Sequence, residues 1–136
     1  MSGPDLGSPH SMVFDGRPEQ VSAARAFVRQ VLGIGHPGAE RVALLTSELV
    51  TNSVKHSNSR TAGGTVTVTL RVAADRILVE VADDGGATAP ALRRGDDLAE
   101  TGRGLWLVDT YSLAWDYHRT ATHTVTWFEC LAEPLP

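Results

Sequence analysis

The chain has one cysteine, Cys130, in 136 residues, which excludes an internal disulfide and a cysteine-based zinc site. It lacks any apolar run near the roughly 18 residues of a membrane span. Its opening, MSGPDLGSPHSM, has neither the basic nor the apolar region of a secretory signal, so a cytoplasmic location is expected. Positive charge is scarce as well. With 12 Lys and Arg against 16 Asp and Glu, the net charge of −4 offers no footprint for nucleic acid or an anionic membrane. No internal repeat is present. What the chain does have is length and apolar content for one hydrophobic core.

Residues 1–10 are rich in Gly, Pro and Ser and are expected to form a disordered tail, with one domain over 11–136. MVF reads as a short edge strand. RPEQVSAARAFVRQVLG reads as a helix, with Pro18 in its first turn, Val21, Ala24, Phe27, Val28, Val31 and Leu32 at helical spacing, and Gly33 and Gly35 ending it. A longer helix is expected from about Ala39 to Ser57, then a loop, SNSRTAGG. TVTVTLRVAAD and RILVEVADDGG alternate polar and apolar residues, which predicts a hairpin turning near Ala74 and Asp75. From Gly85 to Thr101 periodicity vanishes, and irregular stretches of that length are commonly lids or binding loops. A third helix is expected over Gly102 to Leu113, and LAWDYHRT and HTVTWFECL close the chain as strands. This order implies an α+β fold, a two-layer sandwich of a mostly antiparallel sheet with helices on one face.

Three segments carry candidate chemistry. On the second helix, Val42, Leu45, Leu49, Val50 and Val54 form the buried stripe, while Glu48, Asn52 and His56, at i, i+4 and i+8, occupy a strip about 80° wide at its border. The Asn52 carbonyl oxygen suits an octahedral Mg²⁺ shared with phosphates, and Glu48 is placed to accept a proton from an attacking hydroxyl. Solvation alone would also account for polar residues there. VADDGG ends the second hairpin strand. Alternation puts Asp83 on the face of Ile77, Val79 and Val81, toward the helices, where it can accept a hydrogen bond from adenine N6, and Gly85 lets backbone approach a flat ring. An ordinary Asp-Gly turn is the plain alternative. GRGLWLV opens the third helix with two glycines and Arg103. Free helix-start N–H groups, the helix dipole and a guanidinium fork suit phosphate, although a ligand-free lid hinge would use the same residues. Taken in chain order, the three segments describe one site for a nucleoside triphosphate.

ELVTNSVKH resembles the N-box of the GHKL (Bergerat-fold) ATPases and kinases, DDG their G1 box, GRGL their G2 box, and THTVTWF the final-strand segment with the G3 threonine. The similarity runs from about Asp15 to Cys130, and SELVTN with GRGLWLVD looks most like the RsbW-like anti-sigma-factor serine kinases. The resemblance implies an ATP site in which Glu48 is the general base and Asn52 the Mg²⁺ ligand. Asp83 would bind adenine N6 with Gly85 beside the ring, and Thr124 would assist through water. Gly102, Arg103 and Gly104, with Leu105 after them, would cradle the phosphates. It also implies a serine or threonine substrate on a STAS-domain antagonist, a sigma factor held inactive, and a homodimer. The alternative is a catalytically silent nucleotide-binding module that sequesters its partner. Two departures stand out: Ala87 occupies the second glycine of the family's D-x-G-x-G, and Thr122 and His123 stand where its G3 glycine usually lies.

His56 is expected to cap the C-terminal end of its helix, with a phosphate-side role as the alternative. His118 and His123 fall on neighbouring strands and are candidates to pair, with no third metal ligand in view. Trp106, Trp115 and Trp127 are expected in the core or an interface, and Cys130 in the core. Arg93 and Arg94 in the lid segment are solvated or reach phosphates on closure.

Overall fold

The structure, a computed structural model, describes residues 7–86 and 103–132. Five strands form one sheet: β1 (His10–Asp15), β2 (Thr65–Val72), β3 (Arg76–Asp83), β4 (Ala114–Arg119) and β5 (Thr124–Leu131). The spatial order is β1-β2-β3-β5-β4, and every neighbouring pair is antiparallel. Three helices pack on the sheet: α1 (Val21–Leu32), α2 (Ala39–His56) and α3 (Arg103–Tyr111). The α+β sandwich expected from the periodicities is the fold found.

Period-two alternation sorts the three central strands, β2, β3 and β5. Val66, Val68 and Leu70 of β2, Ile77, Val79 and Val81 of β3, and Phe128 and Cys130 of β5 are fully buried beneath the helices. Their counterpart is the apolar stripe of α2, where Val42, Leu45, Leu49, Val50 and Val54 are all buried, as their spacing predicts. Burying each such side chain stabilises the fold by about 1.5–3 kcal/mol. From α1, Ala24, Phe27 and Val28 are buried, and the Phe27 ring meets Phe14 of β1 edge to face at 6.2 Å. Lys55 and His56 occupy the last turn of α2, where positive charge complements the carbonyl end of the helix dipole.

The β2–β3 hairpin closes through Ala73 N–H donating to the Arg76 carbonyl at 2.9 Å, with Ala74 and Asp75 as its two-residue turn. β1 is an edge strand, longer than MVF, and His10 is its first residue, opposite Leu70. His10 therefore belongs to the domain and not to the expected tail, because pairing with β2 satisfies backbone groups that a tail would leave to water. After β3 the chain leads through α3 to β4 at the far edge, then returns with β5 between β4 and β3. That return places Thr124 directly opposite Asp83.

Candidate functional site

Asp83 is the last residue of β3, and alternation turns its side chain toward the helices, where it is 7% exposed. Ser53 of α2 donates its hydroxyl to Asp83 Oδ2 at 2.7 Å, and the Gly85 N–H donates to Oδ1 at 2.8 Å. Burial pushes the Asp83 carboxyl above its ordinary value; the Ser53 and Gly85 hydrogen bonds pull it back, Asp84 raises it and His123 lowers it. Each oxygen retains a lone pair, so the group remains an acceptor. Thr124, across the β3–β5 pair, is buried beside it.

The backbone after Asp83 is held from two sides. The Gly85 carbonyl accepts from the Asn58 N–H at 2.6 Å, beyond the end of α2. From the end of β4, the Arg119 guanidinium donates to the Gly86 carbonyl. Gly85 has φ +73°, and a Cβ there would sit 3.1 Å from the Thr122 carbonyl oxygen. Thr122 and His123 therefore pack against the loop at Gly85 with their backbone. Gly85→Ala is expected to lower stability by about 1–3 kcal/mol, from a strained left-handed residue pushed into neighbouring backbone; chemical denaturation measures it.

A ring of serines braces the loop from below. Ser57 Oγ donates to the Ser53 carbonyl at 2.6 Å and accepts from the Ser59 N–H at 3.0 Å. Ser59 Oγ donates to the Thr65 carbonyl at 2.7 Å and accepts from the Asp84 N–H at 2.8 Å, while the Asp84 carboxylate accepts from the Thr65 N–H at 2.9 Å. SNSRTAGG is thus a built connection containing a 3-10 turn (Asn58–Arg60), rather than a slack loop.

Glu48, Asn52 and His56 are half-buried along one border of α2, as their spacing predicts. Because Ser53 follows Asn52 and bonds to Asp83, the carboxamide's turn of α2 lies against the end of β3. α3 packs on α2; it starts at Arg103, with Gly104 second and Leu105 buried. Gly102, Ala87, Arg93 and Arg94 lie outside the described residues.

Ser53 was not singled out from the sequence. The available signal was its place on the apolar stripe, one turn from Leu49 and Val50, because a hydroxyl buried there needs a buried partner. Arg119 had no comparable signal, since its role depends on a turn carrying it to a loop thirty-three residues away.

Other expectations need correction. His118 and His123 do not pair: His118 is opposite Val125, while His123 bonds to its neighbour Thr122 through Nδ1 at 2.7 Å. No cluster of three potential metal ligands occurs among the described residues. Of the tryptophans expected in the core or an interface, Trp115 packs against the core and donates Nε1–H to Asp109 at 2.9 Å, while Trp106, 42% exposed, and Trp127, half-buried on the helix-free face, lie outside the core, which leaves the interface alternative for those two. The one-sided layering of helices leaves alternate residues of β2, β3 and β5 only half-buried. Cys130 is buried as expected, which pushes its thiol up to about 11. Among the described residues, no helix is long and apolar enough to cross a membrane.

Comparison with curated proteins returns no match. Among solved structures, the histidine kinase AdeS of Acinetobacter baumannii matches with a TM-score of 0.50 at 14% identity, over 90% of this chain and 68% of that one, a likeness of fold. The family model described as a histidine kinase-like ATPase domain matches residues 14–130, from the buried Phe14 of β1 to the buried Cys130 of β5, and takes in each segment of the site above. With the helices, the sheet and the buried Asp83 carboxylate at the end of β3 arranged as described, this chain belongs to the histidine kinase-like ATPase domain family of the GHKL superfamily.

Proposed function

We propose that the chain is an ATP-dependent protein serine/threonine kinase that also holds a sigma factor inactive. One observation carries the nucleotide part: Asp83, a buried strand-end carboxylate, keeps acceptor capacity after bonding Ser53 and Gly85. A group of that kind matches the exocyclic amino donor of adenine. Gly85, without a side chain, lets backbone lie beside the ring, and Thr124 across the strand pair is placed to join Asp83 through water.

The donor set also fits magnesium. Asn52 offers a hard, neutral oxygen on a half-buried border, one helical turn from Glu48. Bound there, the ion would neutralise phosphate charge and help to align the transferred group. Glu48 would accept the proton of the attacking serine or threonine hydroxyl. Arg103, with the backbone of Gly102 and Gly104, would hold the phosphates, and buried Leu105 would anchor that turn to the core. Little covalent work falls to the protein, since phosphoryl transfer depends mainly on position and charge.

The partners in this reading are a STAS-domain antagonist, which receives the phosphate, and a sigma factor, bound by a homodimer. They rest on the resemblance of SELVTN and GRGLWLVD to the anti-sigma kinases. The test has two stages. Calorimetry with magnesium and ATP is expected to show stoichiometric binding, and γ-labelled ATP is expected to label a serine or threonine of the STAS protein captured from the native host. Binding without transfer would make the chain a sequestering module instead. No binding would overturn the reading entirely.

A further inference from the structure

A serine inside a helix ordinarily returns its hydroxyl proton to a carbonyl one turn back, as Ser47 does to Leu44 at 2.7 Å. Ser53, on the same helix, does not. Its proton crosses to β3 and reaches Asp83 Oδ2 at 2.7 Å. The backbone at Ser53 is fixed independently, since its carbonyl accepts both the N–H of Ser57 at 3.0 Å and the Ser57 hydroxyl at 2.6 Å. The donor is therefore preset by the end of α2 and does not depend on a ligand. Asp83 Oδ1 is fixed from the other side by the Gly85 N–H at 2.8 Å.

We propose that Ser53 is the positioning residue of the base end, its hydroxyl holding the Asp83 carboxylate in one orientation as an acceptor-only group for an exocyclic amino donor. The inference rests on the nucleotide reading above and adds to it the residue that keeps the acceptor usable in a buried place. A buried carboxylate is driven toward its protonated form, and a protonated Asp83 could present a donor where the ligand also donates. Ser53 opposes this because its hydroxyl donates more strongly to the ionised carboxylate than to the neutral acid. The other groups around Asp83 do less to orient it. Asp84 and His123 act on it by charge, one in each direction, while Val66 from β2 and Thr124 from β5 flank it in register and are uncharged.

The test compares wild type, Ser53→Ala and Ser53→Thr. ADP affinity is measured by calorimetry across pH, and the Asp83 carboxyl carbon is titrated by NMR in the ligand-free protein. Thermal melting confirms that each variant is folded. For Ser53→Ala, ADP affinity is expected to fall about tenfold, the order of a hydrogen bond to a charged group. The acid limb of binding should move up by about one pH unit along with the carboxyl titration, and Ser53→Thr, which keeps a hydroxyl, should restore both. A purely structural serine would leave the acid limb where it is. An unmoved limb and an unmoved Asp83 titration in Ser53→Ala would overturn the proposal while leaving the ATP site intact. Failure of wild type to bind ADP, with the titration still shifted, would bring down the nucleotide reading and this role with it, and would leave only a structural hydrogen bond.

Discussion

Asp83→Asn is expected to abolish measurable nucleotide binding and, at neutral pH, to make the protein more stable. The two effects share a cause. Burial raises the Asp83 carboxyl in the folded state above its unfolded value. A raised carboxyl contributes stability that is fully present below its unfolded value and is lost as pH rises through the folded one. At neutral pH the ionised group is therefore a cost to the fold. Asparagine removes the charge and keeps the shape: its oxygen can still accept from the Gly85 N–H, and the Ser53 hydroxyl can turn to accept from its amide. Binding suffers because the new NH₂ group puts a donor where the carboxylate offered an acceptor oxygen. Affinity should fall at least about a hundredfold, since a buried donor then meets the adenine amino group or leaves it unpaired. Thermal melts at neutral and acid pH, paired with calorimetry, measure both. The stability gain should vanish in acid, where wild-type Asp83 is itself protonated. A variant less stable than wild type at neutral pH would show that the carboxylate holds the fold together.

The second large effect is expected at Glu48. Glu48→Gln keeps the size and helix propensity of the residue and removes the carboxylate proposed as the proton acceptor. Transfer of labelled phosphate to the proposed STAS-domain partner should fall by about 10²–10⁴-fold, the span of general-base contributions, with ATP affinity unchanged. Asn52→Ala should impair transfer as severely by a different route, loss of metal and phosphate alignment, and should weaken binding only when magnesium is present. Both side chains lie on the half-buried border of α2, so neither change opens a cavity in the core. Transfer at wild-type rate in Glu48→Gln would remove the base from this position and require another acceptor for the hydroxyl proton.

The fold was largely legible in the sequence because its elements announce themselves by period. The stripe Val42, Leu45, Leu49, Val50, Val54 gave α2, and the alternation Ile77, Val79, Val81, Asp83 gave both β3 and the side on which Asp83 lies. Asp83 could be assigned to the helix side because a strand with one wet face and one dry face leaves only two choices, and Glu80 marks the wet one. The length of β1 was less legible. HSM carries no apolar alternation, and His10 joins the strand only because β2 offers paired backbone groups beside it.

Local pattern determined which faces are buried, where the helices lie, and which polar residues sit at the border of α2. These follow from nearest-neighbour geometry along a helix or strand, which the order of residues contains in full. Tertiary structure alone decided that β5 returns between β4 and β3, setting Thr124 against Asp83, and that Ser53 sends its proton to β3 instead of back along its helix. It also decided that Arg119 reaches Gly86. Contacts of this kind join residues thirty or more positions apart, and their partners are chosen by how the layers pack.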